Sequence, residues 1–154
     1  MTDAAEGERL RRMVERVTGL PGFTSGIGTE VVAVAAGAVT MALPRRDDLL
    51  QVQGHFHGGV ISALADHAAG AAVTTAMPPG RFAVTVDLHV NFLAPAQGAR
   101  LLAQAEAIHV GGTIGVARVD ILCGDPGAER TCAIATATLR AVDMPAAGRG
   151  VPRS

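Results

Sequence analysis

The 154-residue chain contains no tryptophan, no tyrosine and no lysine, and its aromatic content of 3% is phenylalanine alone. Without aromatic platforms, base stacking and sugar cages have almost nothing to work with. Without lysine there is no amine for a Schiff base and no P-loop, so pyridoxal-phosphate chemistry and Walker-type nucleotide binding are excluded. Cys123 and Cys132 are the only cysteines. Two are too few for a disulfide scaffold, and their spacing fits neither a zinc nor a CxxC redox site, so they read as reduced core thiols. No apolar run reaches the roughly 20 residues of a membrane helix, and the N-terminus lacks the hydrophobic region of a secretory signal. A cytoplasmic protein with no membrane partner is expected. The 13 cations, all arginine, are dispersed and balanced by 14 acids, which excludes a phosphate-tracking stripe and with it a nucleic-acid partner.

What the chain has is apolar aliphatic side chain. Hydrophobic residues make up 49% and the mean hydropathy is +0.32, enough for one buried core of ordinary domain size. Residues 1–25 read as an amphipathic helix over Ala5–Val17, a solvated lid, followed by a glycine-rich linker. Residues 26–142 form the domain proper, and residues 143–154, rich in Ala, Gly, Pro and Arg, are expected to be a disordered tail. A β-branched run over Thr29–Leu43 predicts a long strand or hairpin ended by Pro44. An almost uninterrupted apolar stretch from Gly59 to about Ala76, closed by Met77-Pro78-Pro79-Gly80, predicts a buried central helix. Strand-like runs follow at Phe82–Phe92, Arg100–Val110, Thr113–Cys123 and Glu129–Val142, with short connections that predict an antiparallel meander. The first alternates, with Val84, Val86, Leu88, Val90 and Phe92 assigned to one face and Thr85, Asp87, His89 and Asn91 to the other. One long helix on one face of an antiparallel sheet is an α+β layout.

Asp66 lies in the middle of the apolar helix, where a carboxylate is costly unless it is hydrogen-bonded, paired or protonated. It could be a structural acid satisfied by His67 or a loop amide. Yet helical spacing surrounds it with Ser62, Ala63, Ala69 and Gly70, all small, leaving room for a ligand beside a general base. At the start of the helix, His57-Gly58-Gly59 brings bare backbone to an N-terminus, where free N–H groups favour an oxygen that carries negative charge, the requirement for an oxyanion hole. Eight residues of helix rise about 12 Å, so Gly58 and Asp66 of one chain cannot reach the same carbonyl group. If both serve one site, two chains supply them, which implies a twofold dimer. His55-x-His57 could be read with Asp66 or His67 as metal ligands, but the spacing of a second ligand pair is missing and His57 reads better as a capping residue. No metal and no cofactor are expected.

The stretch HGGVISALAD and the later AVTVDLHVNFLAPAQG resemble the hotdog-fold acyl-CoA thioesterases of the phenylacetate-pathway and 4-hydroxybenzoyl-CoA thioesterase type, over roughly residues 26–142. The resemblance implies a long helix wrapped by a sheet of five or six antiparallel strands, and homodimers with active sites across the interface, further paired as a dimer of dimers. It implies an acyl-CoA substrate, with CoA as part of the substrate and no separate cofactor. Asp66 matches the catalytic carboxylate, acting as nucleophile or general base, and Gly58 matches the residue whose backbone N–H polarises the thioester carbonyl. Gln51 matches the Asn or Gln that contacts the thioester or the water, and Thr85 resembles the Ser or Thr that orients that water. His57, Gly59 and Ser62 fall around the substrate. The chain departs from many relatives at Gly111-Gly112-Thr113, where a basic residue is usual, which leaves the CoA phosphate contacts unassigned. Arg81, Arg118 and Arg130 read as surface charges, and the acyl group depends on how Leu49, Leu50, Met77 and Phe82 pack. Two further readings stand beside hydrolysis: an enoyl-thioester hydratase or dehydratase, disfavoured because Asp66 and His67 point about 100° apart on a helix, and a non-catalytic acyl-CoA-binding module.

Overall fold

The computed structural model describes residues 3–144, so most of the expected tail lies outside the described residues. Helix α1 (Asp3–Thr18) buries Leu10, Val14 and Thr18 against strand β1 (Glu30–Ala35). Its sequence carries acids in the first turn and an arginine in the last, the charge order that complements the helix dipole. The expected linker contains a single helical turn, α2 (Phe23–Gly26). The β-branched run is a hairpin, β1 and β2 (Ala38–Pro44), turning at Gly37, whose φ of 77° suits glycine. Then come the central helix α3 (Gly58–Thr75), β3 (Arg81–Phe92), β4 (Arg100–Val110), β5 (Ile114–Gly124) and β6 (Arg130–Asp143).

The six strands form one antiparallel sheet in the order β1-β2-β4-β5-β6-β3. The expected meander holds for β4, β5 and β6, whereas β3 does not pair with β4 and instead closes the far edge beside β6. The connection through Leu93–Ala99 first continues the pairing with β6, Leu93 and Ala94 donating backbone hydrogen bonds to the Cys132 carbonyl at 2.8 and 3.2 Å, and then accepts from the Phe56 and Arg45 amides at the Ala96 and Ala99 carbonyls, at 3.0 and 2.9 Å.

The sheet wraps α3, whose inward residues are mostly small. Ala65, Ala68, Ala69 and Ala72 are fully buried beside Leu64 and Val73. Sheet residues Met41, Leu43, Leu101, Ile121 and Leu139 fill the remaining space. Alanine on the contact face lets the backbone of the helix come close to the strands, and the closeness leaves no spare volume: a Cβ on Gly115 of β5 would stand 2.4 Å from Val73 Cγ1. Two threonines tie the end of the helix to the sheet, Thr75 Oγ1 accepting from Gly37 N at 3.0 Å and Thr74 Oγ1 from Ala83 N at 3.0 Å.

Strand β3 corrects the sequence expectation in detail. Its pairing with β6 slips between Thr85 and Asp87, a β-bulge at Val86. Strict alternation would put Thr85 on the face away from Leu88 and Val90. The extra residue instead lets Ala83 and Thr85 share the helix side with Leu88 and Val90, while Val84 and Val86 are exposed at 44% and 58%.

Gly115→Ala is expected to destabilise the protein by about 1–3 kcal/mol, because the methyl group must displace a buried valine in a packed core. Gly112→Ala, with nothing within 4 Å, should change stability by less than about 0.5 kcal/mol. Urea denaturation of the two variants checks this; equal midpoints would disprove the close approach of α3 to β5.

Candidate active site

Asp66 sits half-buried on α3, and its carboxylate is held from the sheet: Thr85 Oγ1 donates to Oδ1 at 2.7 Å. Among the described residues this is the only partner of the carboxylate, so Oδ2 is open to a ligand or water. The β-bulge at Val86 is what turns Thr85 toward the helix, so a local irregularity of the edge strand orients the acid.

His67, the neighbour considered for satisfying Asp66, points elsewhere. Its Nε2 shares a hydrogen bond of 2.9 Å with Thr18 Oγ1 at the end of α1. Burial lowers the pKa of His67, and the nearby Asp66 charge opposes that shift without reversing it. A neutral imidazole fastening α1 to α3 is therefore structural, and it does not form an acid–base dyad with Asp66.

Two turns earlier, the helix begins with a side-chain cap. His57 Nδ1 accepts from Gly59 N at 2.9 Å, and Ser62 Oγ donates back to the Gly58 carbonyl at 2.8 Å. His57 and Gly59 thus satisfy each other, and the Ser62 hydroxyl is taken by the Gly58 carbonyl. The Gly58 N–H is left without an acceptor among the described residues and faces outward at the positive end of the helix dipole. A Cβ on Gly58 would meet Phe92 Cζ at 3.2 Å, so only glycine fits under that ring without a shift. Sequence reasoning placed Phe92 in the strand but missed this contact, since nothing local couples the end of β3 to the start of α3.

Gln51 lies in the loop before α3, not beside Asp66. Its Oε1 accepts from Gln53 N, and its backbone bonds the His55 carbonyl through Gln51 N at 2.8 Å. The histidines do not converge: His55 Nδ1 bonds Gln97 Nε2 at 3.0 Å, while His57 and His67 are occupied as above, and no group of three metal-ligating side chains comes together among the described residues. The cysteines are both buried, and burial together with the adjacent Cys123 pushes the Cys132 thiol up to about 12, which leaves it protonated and unreactive at neutral pH. Arg81 and Arg118 pair with Asp143 and Asp120, each at 3.1 Å. No helix of the described residues is long and apolar enough to cross a membrane.

A helix wrapped by an antiparallel sheet, with a hydrogen-bonded acid at mid-helix and a free amide at its start, is the hotdog arrangement. The chain belongs to the thioesterase superfamily, whose profile matches residues 53–129, from the loop before α3 into the β5–β6 turn. It is 33% identical over 100 residues to 1,4-dihydroxy-2-naphthoyl-CoA hydrolase of Listeria monocytogenes, covering 65% of this chain and 81% of that one. Among solved structures, a thioesterase family protein from Silicibacter pomeroyi superposes with a TM-score of 0.83 at 30% identity, over 88% of this chain and 99% of that one. The PaaI protein of E. coli, from the phenylacetic acid degradation operon, shares the fold at a TM-score of 0.77 and 19% identity, over 92% and 96% of the two chains.

The depressed pKa of His67 has a definite sign. As pH falls, the unfolded chain takes up a proton near 6.5 before the folded chain does, so stability is full above about 6.5 and declines below it. His67→Gln, which keeps a polar partner for Thr18, should flatten the loss of Tm as the pH falls below about 6.5. Thermal melts across that range test it, and parallel curves for the two proteins would refute a buried neutral imidazole.

Proposed function

We propose that the protein hydrolyses an acyl-CoA thioester to the free acid and CoA, in a site shared by two chains. The observation that carries the reading is the Asp66 carboxylate fixed by Thr85 at 2.7 Å with its second oxygen open. The resemblance to a CoA-thioester hydrolase supplies the substrate class. The Gly58 N–H would donate to the thioester carbonyl oxygen and stabilise the negative charge that develops on it. Asp66 then either takes a proton from a water that attacks the carbonyl carbon, or attacks that carbon itself to give an anhydride that water cleaves. In both routes the C–S bond breaks and the thiolate leaves, taking up a proton as CoA thiol. Thr85 fixes the carboxylate rotamer, and Gln51, whose Oε1 accepts from Gln53 N, would contact the thioester only by releasing that bond.

Distance and the open edge support a dimer. The Gly58 N–H and Asp66 are separated by eight residues of one helix, a rise of about 12 Å. Among the described residues β3 ends the sheet, with its outer backbone groups unpaired by another strand and with exposed Val84 and Val86. Antiparallel pairing of two β3 edges about Leu88 and His89 would set Thr85 of one chain opposite Phe92 of the other. That same pairing brings the carboxylate of one chain to the free amide of its partner. The hydratase reading loses its same-chain partner for Asp66, because His67 is turned onto Thr18.

Thiol release from a panel of acyl-CoAs should be seen for the wild type. Asp66→Asn should lose about two to four orders of magnitude in kcat with Tm retained. Thr85→Ala should lose about tenfold or more, through loss of one hydrogen bond to a charged group. Mixing Asp66→Asn with Gly58→Pro, which removes the N–H, tests the shared site. If two chains build each site, subunit exchange should restore about a quarter of wild-type activity, since half the dimers are mixed and each carries one intact site. No recovery from two folded, exchanging variants would place both groups in one chain's site and overturn the dimeric arrangement; near-wild-type turnover by Asp66→Asn would overturn the hydrolase mechanism.

A further inference from the structure

Phe92 stands in an unusual position for a large apolar side chain. It follows Leu88 and Val90 on the helix side of β3, and those two pack against the core, yet Phe92 is 55% exposed. The reason is length: β3 runs past the first turn of α3, so the ring overhangs the helix end instead of covering the helix. Its tip leans on Gly58, with Cζ and the two Cε atoms at 3.2, 3.5 and 3.8 Å from where a Cβ would be. The nitrogen and Cβ positions of one residue are about 2.5 Å apart, so the ring tip lies within about 6 Å of the free Gly58 N–H. An oxygen bonded to that N–H sits about 2.9 Å from the nitrogen. The atoms attached to the carbonyl carbon then come within reach of the ring.

We infer that Phe92 is a specificity-determining wall of the site, which admits straight or flat acyl groups and rejects substrates branched at the carbon next to the thioester carbonyl. The inference rests on the thioesterase reading given above. The ring continues the apolar row of Leu88 and Val90, so the acyl side of the thioester suits it better than the amide-bearing arm of CoA. A flat or unbranched neighbour of the carbonyl lies along the ring, whereas a methyl group on that carbon competes with the ring for the same space. The contact also suits a residue 58 without a side chain: an alanine there would press on the ring tip at 3.2 Å and shift it by a few tenths of an ångström. Because the wall is apolar and makes no hydrogen bond, it acts by excluding volume, and removing it should affect branched substrates far more than straight ones.

The test compares kcat/KM for butanoyl-CoA and 2-methylbutanoyl-CoA in the wild type, Phe92→Leu and Phe92→Ala, with Tm recorded for each. The wild type should favour the straight chain by about tenfold or more, and Phe92→Ala should reduce that ratio by about tenfold, with Phe92→Leu between them. Binding of the matching non-hydrolysable S-(2-oxoalkyl)-CoA ketones, straight and branched, is measured by calorimetry on the same three proteins. If the straight-to-branched ratio is the same in folded wild type and Phe92→Ala, in turnover or in binding, Phe92 is not the wall and the hydrolase reading survives. If the wild type neither turns over the thioesters nor binds the ketones, the thioesterase reading and the wall fall together.

Discussion

The close approach of an alanine-faced helix to the sheet that wraps it is the constraint on which the remaining features depend. Ala65, Ala68, Ala69 and Ala72 are wholly buried, and Gly115 has no room for even a methyl group opposite Val73. Larger residues on this face would push the sheet outward, and the hydroxyl of Thr85 would no longer reach Asp66 at 2.7 Å. The short polar contact thus rests on the economy of side-chain volume around it, which also accounts for a composition rich in aliphatic residues and nearly empty of aromatics. A carboxylate in this helix is tolerable because the same closeness supplies a hydroxyl donor on one side, while the small residues around it keep the other oxygen accessible.

Much of the fold was legible in the sequence. The central helix was expected from Gly59 and is found from Gly58, and each of the four later strands begins and ends within a residue of its expected bounds. Those segments are long, strongly apolar and punctuated by proline and glycine, so local chemistry alone sets their limits. Strand order was not legible in the same way. Short connections predict neighbours, and the β3–β4 connection is short, but its Leu93 and Ala94 amides are taken by the Cys132 carbonyl of a distant strand. That bond is a tertiary fact with no sequence signature.

The site divides along the same line. Asp66 stood out because an acid in an apolar helix is anomalous by composition, and Gly58 because glycines precede a helix start. The link between Asp66 and Thr85 came from family resemblance alone, and it conflicts with the alternation read from the strand. The conflict is resolved by a bulge at Val86, and a bulge cannot be inferred from a run in which every second residue is already apolar. His57 already read as a capping residue in sequence, and its acceptance from the Gly59 amide bears that out, whereas only the Thr18 hydroxyl shows His67 to be a fastening and not a partner of Asp66.

The edge strand β3 therefore carries three separate duties along its length. Thr85, brought inward by the bulge, holds the acid. Val84 and Val86, left outward by the same bulge, give the open edge an apolar surface of the kind that soluble proteins normally avoid exposing. Phe92, past the end of the core, flanks the amide at the start of the helix. A strand that alternated strictly would perform at most two of these, because inward and outward residues would stay in phase from end to end. One inserted residue shifts that phase between Thr85 and Leu88, so that a single strand orients the carboxylate of its own chain, walls its own free amide and offers the edge along which the two would meet in a pair of chains.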